Sequence, residues 1–278
     1  MKSRKIDLAI AFLQSQPSSA ASVLEQQSIE HVAVFLSEIS YAHAAIAIGN
    51  MLPQYVAKIC QHIEPTVAAA FMSEVDASSV AAIMRHLDPE KGHSILELLP
   101  EKTKLLCMFL LYYQEDAVGA WMIPNPPVVP CECTIKEARK RFSTENTIDI
   151  GVIHIVDRDR NLRGVLGIST LFSAAPSTQI STVMDKDFET ISGRASVESA
   201  IEHSAWSRCE TVAVTNRSQK LVGVIRHVDL RRGLKAASID ASAPIVSDPL
   251  SGLIEVYGKS LLALLNTFGE TVSSRSNR

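Results

Sequence analysis

The sequence predicts a chain of two characters. An α-helical superhelix fills the first hundred residues, two copies of a strand-helix-strand-strand-helix unit follow, and an amphipathic helix closes the chain. Three observations carry this reading. Apolar residues recur at a period of 24 in the first part, Ile/Val strands recur at offsets of 59 to 62 in the second, and Leu253 to Phe268 sets large apolar residues along one helical face.

In the first part Val32-Ala33, Val56-Ala57 and Val80-Ala81 are equivalent, as are Ile39, Ile63 and Leu87, and Ala44, Ala68 and Gly92. Within a repeat the spacing is helical: Val56, Ile59, Cys60, Ile63, and again Val80, Ile83, Met84, Leu87. Asp88-Pro89-Glu90 supplies a cap, a first-turn proline and an early acid, so a helix starts there, and Glu64-Pro65 marks the same point one repeat earlier. Each repeat is thus two short helices whose apolar faces are buried only by stacking. This domain is expected over 1–118.

After "YYQEDAVGAWMIPNPPVV" the character changes. The stretch "GVIHIVDRDRNLRGVLGI" reads as strand, charged turn, strand, and "TIKEARKRF" before it puts Ile135, Ala138 and Phe142 on one helical face. Met122, Ile135 and Ala138 recur as Met184, Val197 and Ala200, while Ile153, Leu162, Gly164 and Leu171 recur as Val212, Leu221, Gly223 and Leu230. The two copies are expected over 119–179 and 180–236, with a linker and the amphipathic helix over 237–278.

Composition narrows the function. At 278 residues, 46% hydrophobic and 21% charged, the chain has enough apolar material for two ordinary cores. A net charge of −3 argues against a general nucleic-acid binder. Five cysteines make an odd count with no disulfide-framework spacing. The N-terminus has no signal-peptide pattern, so a cytoplasmic location is expected. The most apolar run, "LLCMFLLYY", is about half of the ~20 residues that span a bilayer, and 253–268 contains Glu255 and Lys259. No transmembrane segment and no conduction are expected.

The helical repeat, the junction Tyr113, Asp116, Gly119, Met122, Pro124 and the doubled strand-helix unit, in that order, resemble the cytosolic portion of MgtE-type magnesium transporters: a superhelical N domain followed by a tandem CBS pair. The resemblance covers roughly residues 30–236. It implies a part that senses Mg²⁺ and gates a membrane domain, and CBS pairs that meet as homodimers. The family's sensing chemistry sets carboxylates across an interface, where Mg²⁺ finds hard oxygen ligands. Here the corresponding stretch is "SSVAA" (78–82), "SGRASVES" (192–199) keeps only Glu198, and the run after the second module holds Arg231, Arg232 and Lys235.

The resemblance also implies an adenine-nucleotide cleft, read by a Gly, a Thr or Ser, and an Asp for the ribose. The second module has Gly223 and Asp229, with Arg226 at the Thr/Ser place; the first has Gly164, Gly167 and Thr170. Two readings stand. Asp229 holds a ribose and Arg226 a phosphate, or Asp229 caps the following helix and the arginines face water. Glu115 and Asp116 are candidates for a cation site, and otherwise no metal site is expected.

Cys131-Glu132-Cys133 lacks a second ligand pair and reads as ordinary thiols. His62 and His86 recur because the repeat does. No nucleophile elbow, phosphate loop or supported acid pair is present, so no enzyme is expected. The stripe Leu253, Val256, Tyr257, Leu261, Leu264, Leu265 and Phe268 needs cover from its own chain, a second copy or another protein. The expected function is that of a regulatory or scaffold protein, dimeric through the CBS pair. The alternatives are a sensor of Mg²⁺ or an adenine nucleotide in magnesium homeostasis, and a non-conducting subunit docked on a membrane transporter.

Overall fold

The computed structural model describes residues 2–144 and 151–239, and the expected amphipathic helix at 253–268 lies outside them. The described chain falls into two compact units, one running through Met108 and one from Phe109 to Ser238.

The first unit is all helix: α1 (Lys2–Ser15), α2 (Pro17–Leu24), α3 (Ile29–Glu38), α4 (Tyr41–Asn50), α5 (Pro53–His62), α6 (Pro65–Ser73), α7 (Ala77–Met84), α8 (Pro89–Leu98) and the start of α9 (Glu101–Leu111). Starts are set by local chemistry. Pro17, Pro53, Pro65 and Pro89 open helices with the fixed φ that suits a first turn. Ser28, Ser40 and Asp76 accept the backbone N–H of His31, His43 and Ser79. Asp88 stands at the cap position of α8, but its side chain makes no capping bond, so Pro89 and the first-turn acid Glu90 mark that start.

Packing then follows the repeat. α3 lies on α5 and α5 on α7, while α2 lies on α4, α4 on α6 and α6 on α8. From α2 to α6 each helix therefore meets the one two places on, while α1 lies on α2 and α4, and the equivalent Val32, Val56 and Val80 are all buried in the shared core. No repeat closes a core by itself, which is the logic of a stacked array.

The second unit holds two modules. The first comprises β2 (Val128–Pro130), α10 (Ile135–Thr144), β3 (Val152–Val156), β4 (Leu162–Gly167) and α11 (Ile168–Ser173). After the short helix α12 (Ile180–Val183), β5 (Thr190–Ser192), α13 (Val197–Ile201), β6 (Thr211–Thr215), β7 (Leu221–Arg226) and α14 (His227–Ile239) repeat it. In each module the first strand runs parallel to the second, as a crossover helix requires, and the second pairs antiparallel with the third. The repeat extends to the irregularities. The ladder shifts register at Ile155/Val156 and at the equivalent Val214/Thr215. In the turns Asp157 and Asn216 each accept two backbone N–H groups, and Arg160 and Gln219 both take positive φ, at 64° and 58°.

The modules are also laced together. β1 (Ile123–Pro124) leads into the first module but pairs with β7 of the second, Ile123 opposite Val224 and Pro124 opposite Gly223. In return Asp185, ahead of the second module, exchanges both backbone hydrogen bonds with Val165 of β4, at 2.9 and 2.8 Å. Ile135 and Ala138 of α10 are buried against Ile153, Ile155 and Leu166, with Phe142 partly covered beside them, as the helical face predicts. The other face of β3 turns toward the second module, where Val156 joins Ala213 and Leu221.

Candidate functional site

The end of β7 delivers Arg226 and the first turn of α14 delivers Asp229, three residues on. Strand and helix abut with no loop between them, so the two side chains meet. Arg226 Nε donates to Asp229 Oδ2 at 2.7 Å and Nη2 donates to Oδ1 at 2.9 Å, a two-pronged pair in which the carboxylate is 5% exposed. Both oxygens of the expected ribose acceptor are thus engaged by the expected phosphate donor. Gly223 lies within β7 and its role there is one of space. A Cβ on it would stand 2.5 Å from Met122 Sδ and 2.9 Å from the Ile123 carbonyl oxygen, and Gly164 faces Met184 and Asp185 in the same way. Arg226 also lines a hollow of about 360 Å³ with Trp206, Cys209, Glu210, Thr211, His227 and Arg231; the Trp206 and His227 rings are 5.1 Å apart.

A second opening, of about 280 Å³, lies between the two sheets. Val152 and His154 of β3 and Val165 and Gly167 of β4 form one wall. Thr211 and Ala213 of β6 form the other, and the connector Asp185–Glu189, with Arg208 and Cys209, closes the rim. Strand alternation explains why His154 faces this way, since its neighbours Ile153 and Ile155 fill the first module's own core. His154 is 1% exposed, and burial pushes its pKa from 6.5 down to about 4, so the imidazole is neutral near pH 7. Its Nδ1 has no hydrogen-bond partner among the described residues. On the rim Arg208 donates to Asp187 at 2.9 Å and to Glu189 at 2.7 Å, and Ser204 donates to Glu189 at 2.7 Å. The Ser204 hydroxyl first, and Arg208 after it, hold Glu189 below the ordinary carboxylate range.

The remaining candidates are placed elsewhere. The Asp116 carbonyl accepts Val197 N–H at 2.8 Å and the Glu115 carbonyl accepts the Trp121 indole at 2.7 Å, so both backbones serve the fold of the second unit. Among the described residues no group of three or more His, Cys, Asp or Glu comes together to hold a metal. In the first unit Ser78 and Ser79 both turn onto the cap residue Asp76. Ser79 N and Oγ approach its carboxylate at 2.9 and 2.8 Å, and the Ser78 hydroxyl donates to it as well. Asp76, the carboxylate nearest the "SSVAA" stretch in sequence, is thereby committed to the start of α7. Sequence reasoning missed His154 and the Asp187–Arg208–Glu189 cluster. A lone imidazole inside a Val/Ile strand was the available signal for the first; the second is assembled from residues about twenty apart.

Comparison with known proteins accords with this architecture. The family model of the MgtE intracellular N domain matches residues 15–116 and that of the CBS domain matches residues 118–177. The magnesium transporter MgtE of Thermus thermophilus is 24% identical over 154 residues, 55% of this chain and 34% of that protein. The chain spans about a quarter to a third of the length of the curated relatives it matches. A crystal structure of the soluble part of a magnesium transporter superposes with a TM-score of 0.60 at 16% identity, covering 87% of this chain and 100% of that one. That of the cytosolic domain of the Mg²⁺ channel MgtE in complex with ATP gives 0.56 at 20%, covering 82% and 98%. At these identities the likeness is one of fold. Among the described residues no helix is long and apolar enough to cross a membrane. Residues 15–116 are thus an MgtE-type N domain and residues 118–177 a CBS domain, joined in the order found in the cytosolic part of MgtE-type magnesium transporters.

Proposed function

We propose that this chain is a regulatory module of magnesium transport that works by docking, as a homodimer through the CBS pair at 119–236, and that it neither conducts ions nor catalyses a reaction. Its place is the cytoplasmic side, beside a membrane transporter. The observation that carries this reading is the pairing of an MgtE-type N domain with two modules laced by β1 and Asp185. Such lacing suits a body that passes on a change of shape. Loss of Mg²⁺ sensing fits the commitment of Asp76 to its helix cap and the cations Arg231, Arg232 and Lys235 on α14.

A nucleotide-sensing alternative draws on the ATP complex of the related cytosolic domain. Against it stands the engagement of Asp229 by Arg226. Sedimentation velocity of the full chain, with and without millimolar Mg²⁺, tests the reading. The expected result is a dimer whose sedimentation coefficient Mg²⁺ leaves unchanged. A monomer, or a particle that compacts on adding Mg²⁺, would overturn it.

A further inference from the structure

The chain after α9 is fastened to the second module by its backbone. Val118 N–H donates to the Ala195 carbonyl and Gly119 N–H to the Gly193 carbonyl, both at 2.9 Å. Gly193 in turn donates to the Thr215 carbonyl at 2.9 Å, where β5 ends beside β6. Tyr113, two residues beyond α9, thereby lies on Gly193. A Cβ there would stand 3.0 Å from Tyr113 Cε1 and 3.3 Å from its hydroxyl oxygen. Beside this contact is an opening of about 170 Å³. It shares no lining residue with the opening between the sheets or with the hollow beside Arg226.

Two cations line this opening, Arg194 and Arg217, and no carboxylate does. Elsewhere in the unit Arg163, Arg208 and Arg226 each hold a carboxylate. Among the described residues the Arg194 guanidinium has only the neutral Tyr112 hydroxyl, at 3.3 Å, and the Arg217 side chain has no partner. The lining is thus net positive, with no counter-ion of its own. Tyr113 lines the same opening and is 9% exposed, yet its hydroxyl has no hydrogen-bond partner among the described residues. Burial raises its pKa, with nearby Arg194 opposing, so the phenol keeps its proton near pH 7 and is a donor. A buried donor without an acceptor, beside two unpaired cations, suits an anion with several oxygens.

We propose that this opening binds a phosphate group, free or at the end of a small monoester, with Arg194 and Arg217 meeting its charge and the Tyr113 O–H donating to one oxygen. Ser192 and Ser218, on the same lining, supply further hydroxyl donors. At about 170 Å³ the opening is smaller than the ~300–1,000 Å³ of pockets that enclose a drug-sized ligand. It therefore takes the phosphate and leaves any larger body outside. The assignment goes beyond the regulatory reading and does not rest on it.

Calorimetric titration of the full chain with inorganic phosphate, and separately with glycerol 3-phosphate, at matched ionic strength in chloride, tests it. Saturable heat with at least one of them is expected. Tighter binding of the monoester would identify it as the source of the group, and equal, weaker or no binding of it would identify the free ion. Arg217→Gln, on an exposed turn, should weaken binding by roughly tenfold or more, the loss of a charged contact. Tyr113→Phe keeps the ring on Gly193 and removes only the donor, so a loss of about three- to tenfold is expected. Arg231→Gln, on α14 and outside this lining, should leave binding unchanged. The proposal falls if neither titrant gives saturable heat, if binding survives Arg217→Gln and Tyr113→Phe, or if Arg231→Gln weakens it as much as Arg217→Gln does.

Discussion

Met122 stands against Gly223 so closely that a methyl group on the glycine would sit 2.5 Å from the methionine sulfur. Gly164 and Met184 repeat this relationship in the other half of the CBS pair, with 3.0 Å to the sulfur and 2.7 Å to the Asp185 carbonyl oxygen. The glycines are the places where each module admits the strand that leads into the other.

Gly223→Ala is therefore expected to destabilise the second unit by about 1–3 kcal/mol, the usual cost of overpacking. The Met122→Ala, Gly223→Ala double variant should recover part of that loss, because the sulfur gives way while the Ile123 carbonyl does not. Urea unfolding followed by circular dichroism reads both. Additive losses in the double variant would contradict the account.

The Arg226–Asp229 pair leads to a second expectation. Arg226→Ala strands a buried carboxylate, and because the arginine is 37% exposed the cost is put at about 1–3 kcal/mol, below that of a fully buried pair. Arg226→Ala with Asp229→Ala should be less destabilising than Arg226→Ala alone. A double-mutant cycle in urea measures the coupling; a value near zero would show that the pair contributes nothing.

The pH dependence has a defined sign. His154 titrates at about 4 when folded and near 6.5 when unfolded, because burial disfavours its charged form. Between those values the unfolded chain binds a proton that the folded chain does not. Stability is full above about pH 6.5, falls as the pH drops, and the loss levels off below about 4, at roughly 3 kcal/mol in total. The facing groups Asp185, Asp187, Glu189, Arg208 and Cys209 are common to wild type and His154→Leu. The difference between their two stability curves therefore isolates the histidine. A flat difference over this range would refute the prediction.

Magnesium should leave the first unit's stability unmoved. A ligand at 100 times its dissociation constant adds about 2.7 kcal/mol, which a melting curve detects easily, and Asp76 is already occupied by Ser78 and Ser79. Asp76→Ala should instead cost about 0.5–2 kcal/mol through loss of the cap, equally with and without Mg²⁺. A several-degree rise specific to Mg²⁺ at matched ionic strength would reverse this conclusion.

Much of this architecture was legible in the sequence because repeats report themselves. Val32, Val56 and Val80 gave the helix stack, and the recurrence of Met122 with Met184 and of Gly164 with Gly223 gave the doubled module. The partners of those residues were not legible. That Met122 meets Gly223 and not the glycine of its own module depends on a strand crossing between sheets, which no local pattern encodes. Arg226 and Asp229 were singled out, but their mutual pairing follows from a strand running straight into a helix. His154 was hidden inside an apolar strand, since alternation says which residues share a face and not what that face meets. The stripe from Leu253 to Phe268 lies outside the described residues.

The lacing of the two modules has a kinetic consequence. Ile123 and Val224, partners across β1 and β7, are 101 positions apart in the chain. Closing a loop of that length brings no return until both sheets exist, and pairings so distant in sequence form slowly. β1 should therefore be among the last strands to settle, waiting until β7 has been synthesised and has found β6. Until then the newborn first module leaves the ribosome with its leading strand unclaimed.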